Sequence, residues 1–158
     1  MEKKKKSPLI YLLTTLTVVT LSYCSVLAET WYVAPASMGG NDNNSGTSPS
    51  DPWEHISYAA IQVSPGDTIK VLDDDNESTD DYIENVSIFP LKIGLVIERY
   101  DDVGPNPQVK AEDPSIAVFW VSADSVTIRG FDIYGSTQVF DPGIYVANYV
   151  EYLSLIHI

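Results

Sequence analysis

Six acids fall within nine residues at 73–81, Asp73-Asp74-Asp75-Asn76-Glu77-Ser78-Thr79-Asp80-Asp81. This run has two readings. Like charges repel and solvate, which gives an exposed loop. Hard cations also take clustered carboxylates, so Asp73, Asp74, Asp75, Asp80 and Asp81 form a loose candidate Ca²⁺ site. Basic groups are scarce. After Lys3 to Lys6, only Lys70, Lys92, Arg99, Lys110 and Arg129 can act as a base or stabilise developing negative charge. Lys70 and Arg129 occupy strand positions that alternate outward, where a solvated charge is the ordinary state. Asp132 also alternates outward near Arg129. The two could bind sugar hydroxyls, although an exposed ion pair accounts for them more simply. His55 has no partner at catalytic spacing and is expected to be solvated. The oxygen-rich run Gly39 to Pro49 lacks the terminal bidentate acid of an EF-hand loop, and turn chemistry explains its Asn and Gly.

These groups must be positioned by short strands. In Ala123 to Gly135, Val126 and Ile128 alternate with Thr127 and Arg129, the period of a strand with one buried face. Gly130 breaks the run, Phe131 and Ile133 resume it, and Gly135 breaks it again. One glycine is too little for a hairpin loop, so the chain is expected to bend there and continue. Val126, Ile128, Phe131 and Ile133 should point inward, with Thr127, Arg129 and Asp132 outward. On that basis Ile128→Asp costs several kcal/mol, and Arg129→Ser no more than about 0.5 kcal/mol. Further strands are expected at Thr30 to Val33, Thr68 to Leu72, Tyr82 to Ile88, Ile93 to Glu98, Gln108 to Ala111 and Gly143 to Val146. Ile116 to Val121 is apolar enough to be buried on both faces or to lie near an end. One helix is expected: Asp51 as cap, Pro52 at the first helical position, Glu54 closing a capping box, and Trp53, Ile56, Ala60 and Val63 on one face. Ser64-Pro65-Gly66-Asp67 ends it. Two weak internal repeats are present. Ile97-Glu98-Arg99-Tyr100 aligns with Ile128-Arg129-Gly130-Phe131, and Asp124-Ser125-Val126-Thr127 aligns at a shorter offset with Asn148-Tyr149-Val150-Glu151. Such irregular spacing suits stacked coils whose loops vary in length. A β-sandwich is disfavoured, since two-residue hairpin turns are missing and the strands are too closely linked to pair with their neighbours.

The 123–135 stretch resembles the V-T-I-x-G-F-x-I-x-G rungs of right-handed parallel β-helix proteins, the pectate-lyase-like superfamily. Gly39 to Pro49 is similar to the G-x-D-x-N-x-G-T-S-P segment that opens many secreted members, and Pro65-Gly66-Asp67-Thr68-Ile69-Lys70-Val71 to their P-G-D-T-I-x-V. The resemblance spans about residues 30–152. It implies an all-β, right-handed parallel β-helix (solenoid) with a short N-terminal capping α-helix, truncated at its C-terminus. The leading segment would be residues 29–67 and the first coils residues 68–152. It also implies polysaccharide as the partner and Ca²⁺ as the possible cofactor. Lyase chemistry on a uronate needs a base and a cation or Arg beside the carboxyl. Hydrolysis needs paired carboxylates across the scissile bond. None of the five basic residues stands in a matching motif, and catalytic residues are not assigned. The family's groove lies along central coils, most of which would follow Val150. The expected function is therefore that of an N-terminal fragment of a protein that binds or processes polysaccharide, without its catalytic groove. The alternative is a non-catalytic surface or adhesin-type solenoid.

Residues 1–28 read as a secretory leader: Lys3 to Lys6, an apolar stretch Leu9 to Leu21 too short to span a bilayer, and Val26-Leu27-Ala28 before the cut. The competing lipobox, Leu21-Ser22-Tyr23-Cys24, puts a bulky Tyr where a small residue belongs. A secreted or cell-surface location follows. Cys24 is the single cysteine, so a chain cut after Ala28 has no disulfides and depends on packing. Cleavage leaves five basic residues against 21 acidic ones, a net charge of −16. That charge argues against nucleic acid and anionic lipid. The mature chain is expected to have no transmembrane segment, and the full-length protein is expected to be a monomer. Residues 153–158, Leu-Ser-Leu-Ile-His-Ile, can be encoded by a sequence resembling a transposase adapter, the alternative being a true strand. His157 is given no role.

Overall fold

The computed structural model describes residues 27–73, 82–101, 104–135, 143–147 and 149–156. Most regular structure is strand: β1 (Thr30–Val33), β2 (Thr68–Val71), β3 (Tyr82–Ile83), β4 (Val86–Ile88), β5 (Val96–Arg99), β6 (Gln108–Lys110), β7 (Phe119–Val121), β8 (Thr127–Arg129), β9 (Asp132–Tyr134), β10 (Ile144–Val146) and β11 (Ser154–Ile156). A 3₁₀ turn, Ala36–Met38, and one helix, α1 (Ile56–Gln62), complete it.

Every strand pairing among the described residues is parallel. The sheets are β1-β2-β5-β8-β11, β3-β6-β9 and β4-β7-β10. From β2 onward the chain therefore passes repeatedly from the first sheet to the other two and back, and β11 ends on the first. This all-β parallel arrangement is compatible with a β-helix-like solenoid. It arises because strands such as β2, β4, β6 and β7 alternate an inward, buried row with an outward one, and the buried rows of the sheets meet in one core. Ile69, Ile97 and Ile128 are fully buried and lie side by side in register; Phe119 packs against Phe131 across the interior, with ring centroids 6.1 Å apart.

The corners repeat as well. The residue that re-enters the first sheet has positive φ at Gly66 (82°), Gly94 (74°), Ser125 (59°) and Tyr152 (59°). Their N–H groups step up the stack: Gly66 donates to Ile93, Gly94 to Asp124, and Ser125 to Glu151. Gly130 makes the sharp corner from β8 to β9 with φ 76°. A Cβ there would lie 2.6 Å from Arg99 Cγ and Cδ, so space as well as conformation demands glycine.

The bend at Gly130 and the inward set are as expected. Val126, Ile128 and Phe131 are buried, Ile133 packs on the core, and Arg129 and Asp132 are exposed. The repeat of Ile97 at Ile128 is real, since the two residues pair. The shorter repeat is not: Ser154, not Glu151, pairs with Thr127, because Val150 is held in a turn on Ala147. Tyr82 to Ile88 is two strands in different sheets, with Glu84 and Asn85 at the corner. The strand placed at Ile93 begins at Val96, and Ile93 is exposed. Ile116 to Val121 is not buried on both faces: Trp120 points out between buried Phe119 and Val121. Residues 154–156 pair parallel with β8.

The helix begins at Ile56, later than its sequence signals imply. Trp53 forms a β-bridge with Val33, and its ring stacks on Trp31 with centroids 4.9 Å apart. Asp51 is therefore not the cap. Its carboxylate accepts from the Ser45 hydroxyl at 2.6 Å and amide at 3.0 Å, which hold its pKa below the ordinary value. Glu84 takes over the helix start, accepting from the N–H groups of Ile56 at 2.9 Å and Ser57 at 2.8 Å. Glu54 closes no capping box; its own N–H, with that of His55, donates to Asp42. The buried face of α1, Ile56, Ala59 and Ala60, packs against β1, β2 and β4. Among the described residues no helix is long and apolar enough to cross a membrane. Residues 1–26 of the expected leader lie outside the described residues.

Candidate functional site

The outward row of the first sheet brings Tyr32, Lys70, Glu98 and Arg129 into register on four successive strands. Glu98 is the centre. Its side chain is only 7% exposed, and its two carboxylate oxygens pair with Lys70 on one side and Arg129 on the other. Lys70 is thus not a free surface charge, and Arg129 pairs with Glu98 rather than with Asp132. Asp132 accepts from Asn106 Nδ2 at 3.1 Å instead. Neighbouring parallel strands lie about 4.8 Å apart, close enough for an outward acid to bridge the cations above and below it.

At the C-terminal ends of β2 and β5 the surface opens into a cleft of about 510 Å³. Asp73, Arg99, Tyr100 and Asp101 form its polar wall, and Met38, Leu72, Pro105 and Pro107 its apolar one. Arg99 builds the far side. Its guanidinium donates to Asn106 Oδ1 at 2.7 Å, to Gly104 O at 3.2 Å and to Asp101 O, fastening the loop after β5. Tyr100 meets Tyr32 edge-on, with centroids 6.0 Å apart. Tyr32 of the charged row thus touches the wall of the cleft. Aromatic faces, a carboxylate pair and a fixed guanidinium can bind a polyhydroxylated ligand by stacking and hydrogen bonding.

The other basic residues serve the scaffold. Lys92 Nζ donates to the carbonyls of Ile61 and Val63 and so caps the end of α1; burial lowers its pKa, against the pull of Asp67. Lys110 Nζ lies 6.0 Å from the Tyr134 ring centroid. His55 is not simply solvated: Nδ1 lies 2.8 Å from Asp42 Oδ2. Burial pushes its pKa down, but the hydrogen bond to Asp42 and the charges of Asp42, Glu84 and Glu54 outweigh this, and the net shift is upward.

Of the candidate Ca²⁺ ligands, Asp73 lines the cleft, while Asp74, Asp75, Asp80 and Asp81 lie outside the described residues. Among the described residues no three His, Cys, Asp or Glu side chains converge as metal ligands. In the 39–49 loop the side-chain oxygens of Asn41 and Asp42 accept bonds from within the fold, and Asn44 Nδ2 donates to Gly39 and Pro52 carbonyls.

Glu98, Tyr32, Tyr100 and Asp101 are not evident as site residues from sequence. A signal for Glu98 exists nonetheless: Lys70, Glu98 and Arg129 directly follow Ile69, Ile97 and Ile128, the apolar residues that stack in register. Comparison with known proteins finds no matching family model, no matching curated protein and no matching solved structure.

Proposed function

We propose that this chain is part of an exported, right-handed β-helix protein that binds polysaccharide, with the cleft beside Arg99 and Tyr100 as the binding site. The observation that carries this reading is the cleft itself: about 510 Å³, open at the C-terminal ends of β2 and β5, and lined by Tyr100, Arg99, Asp73 and Asp101. Arg99, the last residue of β5, fastens the following loop through Asp101, Gly104 and Asn106, so the wall of the cleft holds its groups in fixed relation, as recognition of a repeating polymer requires. The negative charge of the chain directs the choice of polymer. A polyuronate would need Ca²⁺ to bridge it to Asp73 and Asp101, whereas a neutral glycan would not.

Affinity electrophoresis in gels containing xylan, galactomannan or polygalacturonate, the last with and without Ca²⁺, tests the reading. Retardation by at least one polymer that is lost in Tyr100→Ala supports it. Unretarded migration in every gel refutes it. Retardation in polygalacturonate that appears only with Ca²⁺ and disappears in Asp73→Asn would place the cation in the cleft.

A further inference from the structure

The outward row of the third sheet is unlike that of the first. Ser87, Trp120 and Tyr145 stand in register on β4, β7 and β10, in contrast to Lys70, Glu98 and Arg129 on the first sheet. Trp120 is 44% exposed although it lies mid-strand in a parallel sheet. Its ring lies against that of Tyr145, centroids 4.3 Å apart and planes inclined at 36°. The indole Nε1 donates to Ser122 Oγ at 3.1 Å, which fixes the orientation of the ring on its strand. At this separation the two rings overlap face to face, so Tyr145 backs Trp120, whose remaining open surface adjoins the hydroxyls of Ser87 and Ser122, and the row holds no carboxylate, ammonium or guanidinium group.

We infer that Trp120 and Tyr145 form a stacking platform for a neutral glycan chain, separate from the cleft. This rests on the reading of the protein as a polysaccharide binder and extends it to a second surface. Charge selects the occupant. With 22 acids against nine bases, the chain repels nucleic acid, anionic lipid, polyuronates and other copies of itself. An outward row that carries no charge suits a ligand that carries none. Aromatic faces take the apolar face of a sugar ring, and the flanking serine hydroxyls match its hydroxyl edge.

The test titrates the chain with cellohexaose, xylohexaose and mannohexaose by calorimetry, in parallel with trigalacturonate. The variants are Trp120→Ala, Tyr145→Ala and, in the cleft, Tyr100→Ala. Circular dichroism checks each fold, and Trp120→Phe serves as a conservative control. A neutral hexaose whose binding at the platform weakens at least tenfold on Trp120→Ala and on Tyr145→Ala, stays mostly intact on Trp120→Phe, and persists when Tyr100→Ala removes binding at the cleft is the expected result. Neutral-hexaose binding unaffected by either platform variant would overturn the platform and leave the cleft reading standing. Binding of trigalacturonate alone would also overturn it. No binding of any sugar would overturn both. A dimer in sedimentation equilibrium that dissociates on Trp120→Ala would assign the face to self-association and overturn it too.

Discussion

Replacing Glu84 by alanine should destabilise the fold by about 2–3 kcal/mol, although Glu84 lies far from the helix in sequence. Glu84 is 4% exposed and accepts from the first two N–H groups of α1. Ile56 is fully buried, so its N–H would lose a 2.9 Å acceptor and find no water; an orphaned buried donor costs about 1–3 kcal/mol. The Ser57 N–H can rehydrate, at a cost of about 0.5 kcal/mol, the low end for a lost cap. The two lost side-chain carbons add roughly 1 kcal/mol of packing. Relief of the buried charge offsets about 1 kcal/mol of this sum. Urea unfolding followed by tryptophan fluorescence measures the change. With a slope of about 1–3 kcal/mol per molar, the midpoint should fall by about 1 M or more at constant slope. A midpoint within about 0.2 M of the parent would refute the argument that Glu84 caps the helix. The pH dependence gives a second readout. Burial raises the Glu84 pKa above its ordinary value of 4.5, more than its bonds to Ser57 and Ile56 lower it. The folded state therefore takes up a proton in the window between 4.5 and the raised value. Relative to Glu84→Gln, the parent should gain stability as pH falls through that window and lose it as pH rises.

Ile128→Asp should cost several kcal/mol or fold only with the new carboxyl protonated, because Ile128 is fully buried between Ile97 and Leu155 in register; a drop under about 1 kcal/mol in urea unfolding would count against the shared core. Gly130→Ala should cost about 1–2 kcal/mol from its left-handed φ, and more if Arg99 cannot move aside. Faster proteolysis of the loop it fastens, around residues 101–106, would report that displacement. Lys70→Met and Arg129→Ser should each cost about 0.5–1.5 kcal/mol, more than a solvated charge would, and the double variant should exceed their sum because Glu98 is then buried without a cation. Strict additivity would show that Glu98 does not couple them. His55 titrates above its ordinary 6.5, so its contribution to stability is present below 6.5 and is lost as pH rises through the higher folded value. NMR titration of the ring should show the upward shift, and Asp42→Asn should remove most of it.

Local pattern determined much of this protein. Alternation at Val126 to Ile133 and the single Gly130 between its two halves set an inward row, an outward row and a corner, and backbone sterics translate such a pattern almost directly. The same holds for the repeat of Ile97 at Ile128, where matching apolar positions can pair only in one register without turning a buried row outward. What the tertiary structure decided is where partners come from across loops of uneven length. The helix starts later than its local signals say because Trp53, in the sound helix-start sequence Asp51-Pro52-Trp53-Glu54, gains more by bridging Val33 and stacking on Trp31. Glu84, distant in sequence, then supplies the cap. Arg129 and Lys70 read as solvated because an outward strand position normally is; their shared acid, Glu98, becomes visible only once β2, β5 and β8 are stacked. The cleft and the Trp120–Tyr145 pair have the same origin. Each joins residues from different turns of the chain, and no single stretch of sequence contains both halves.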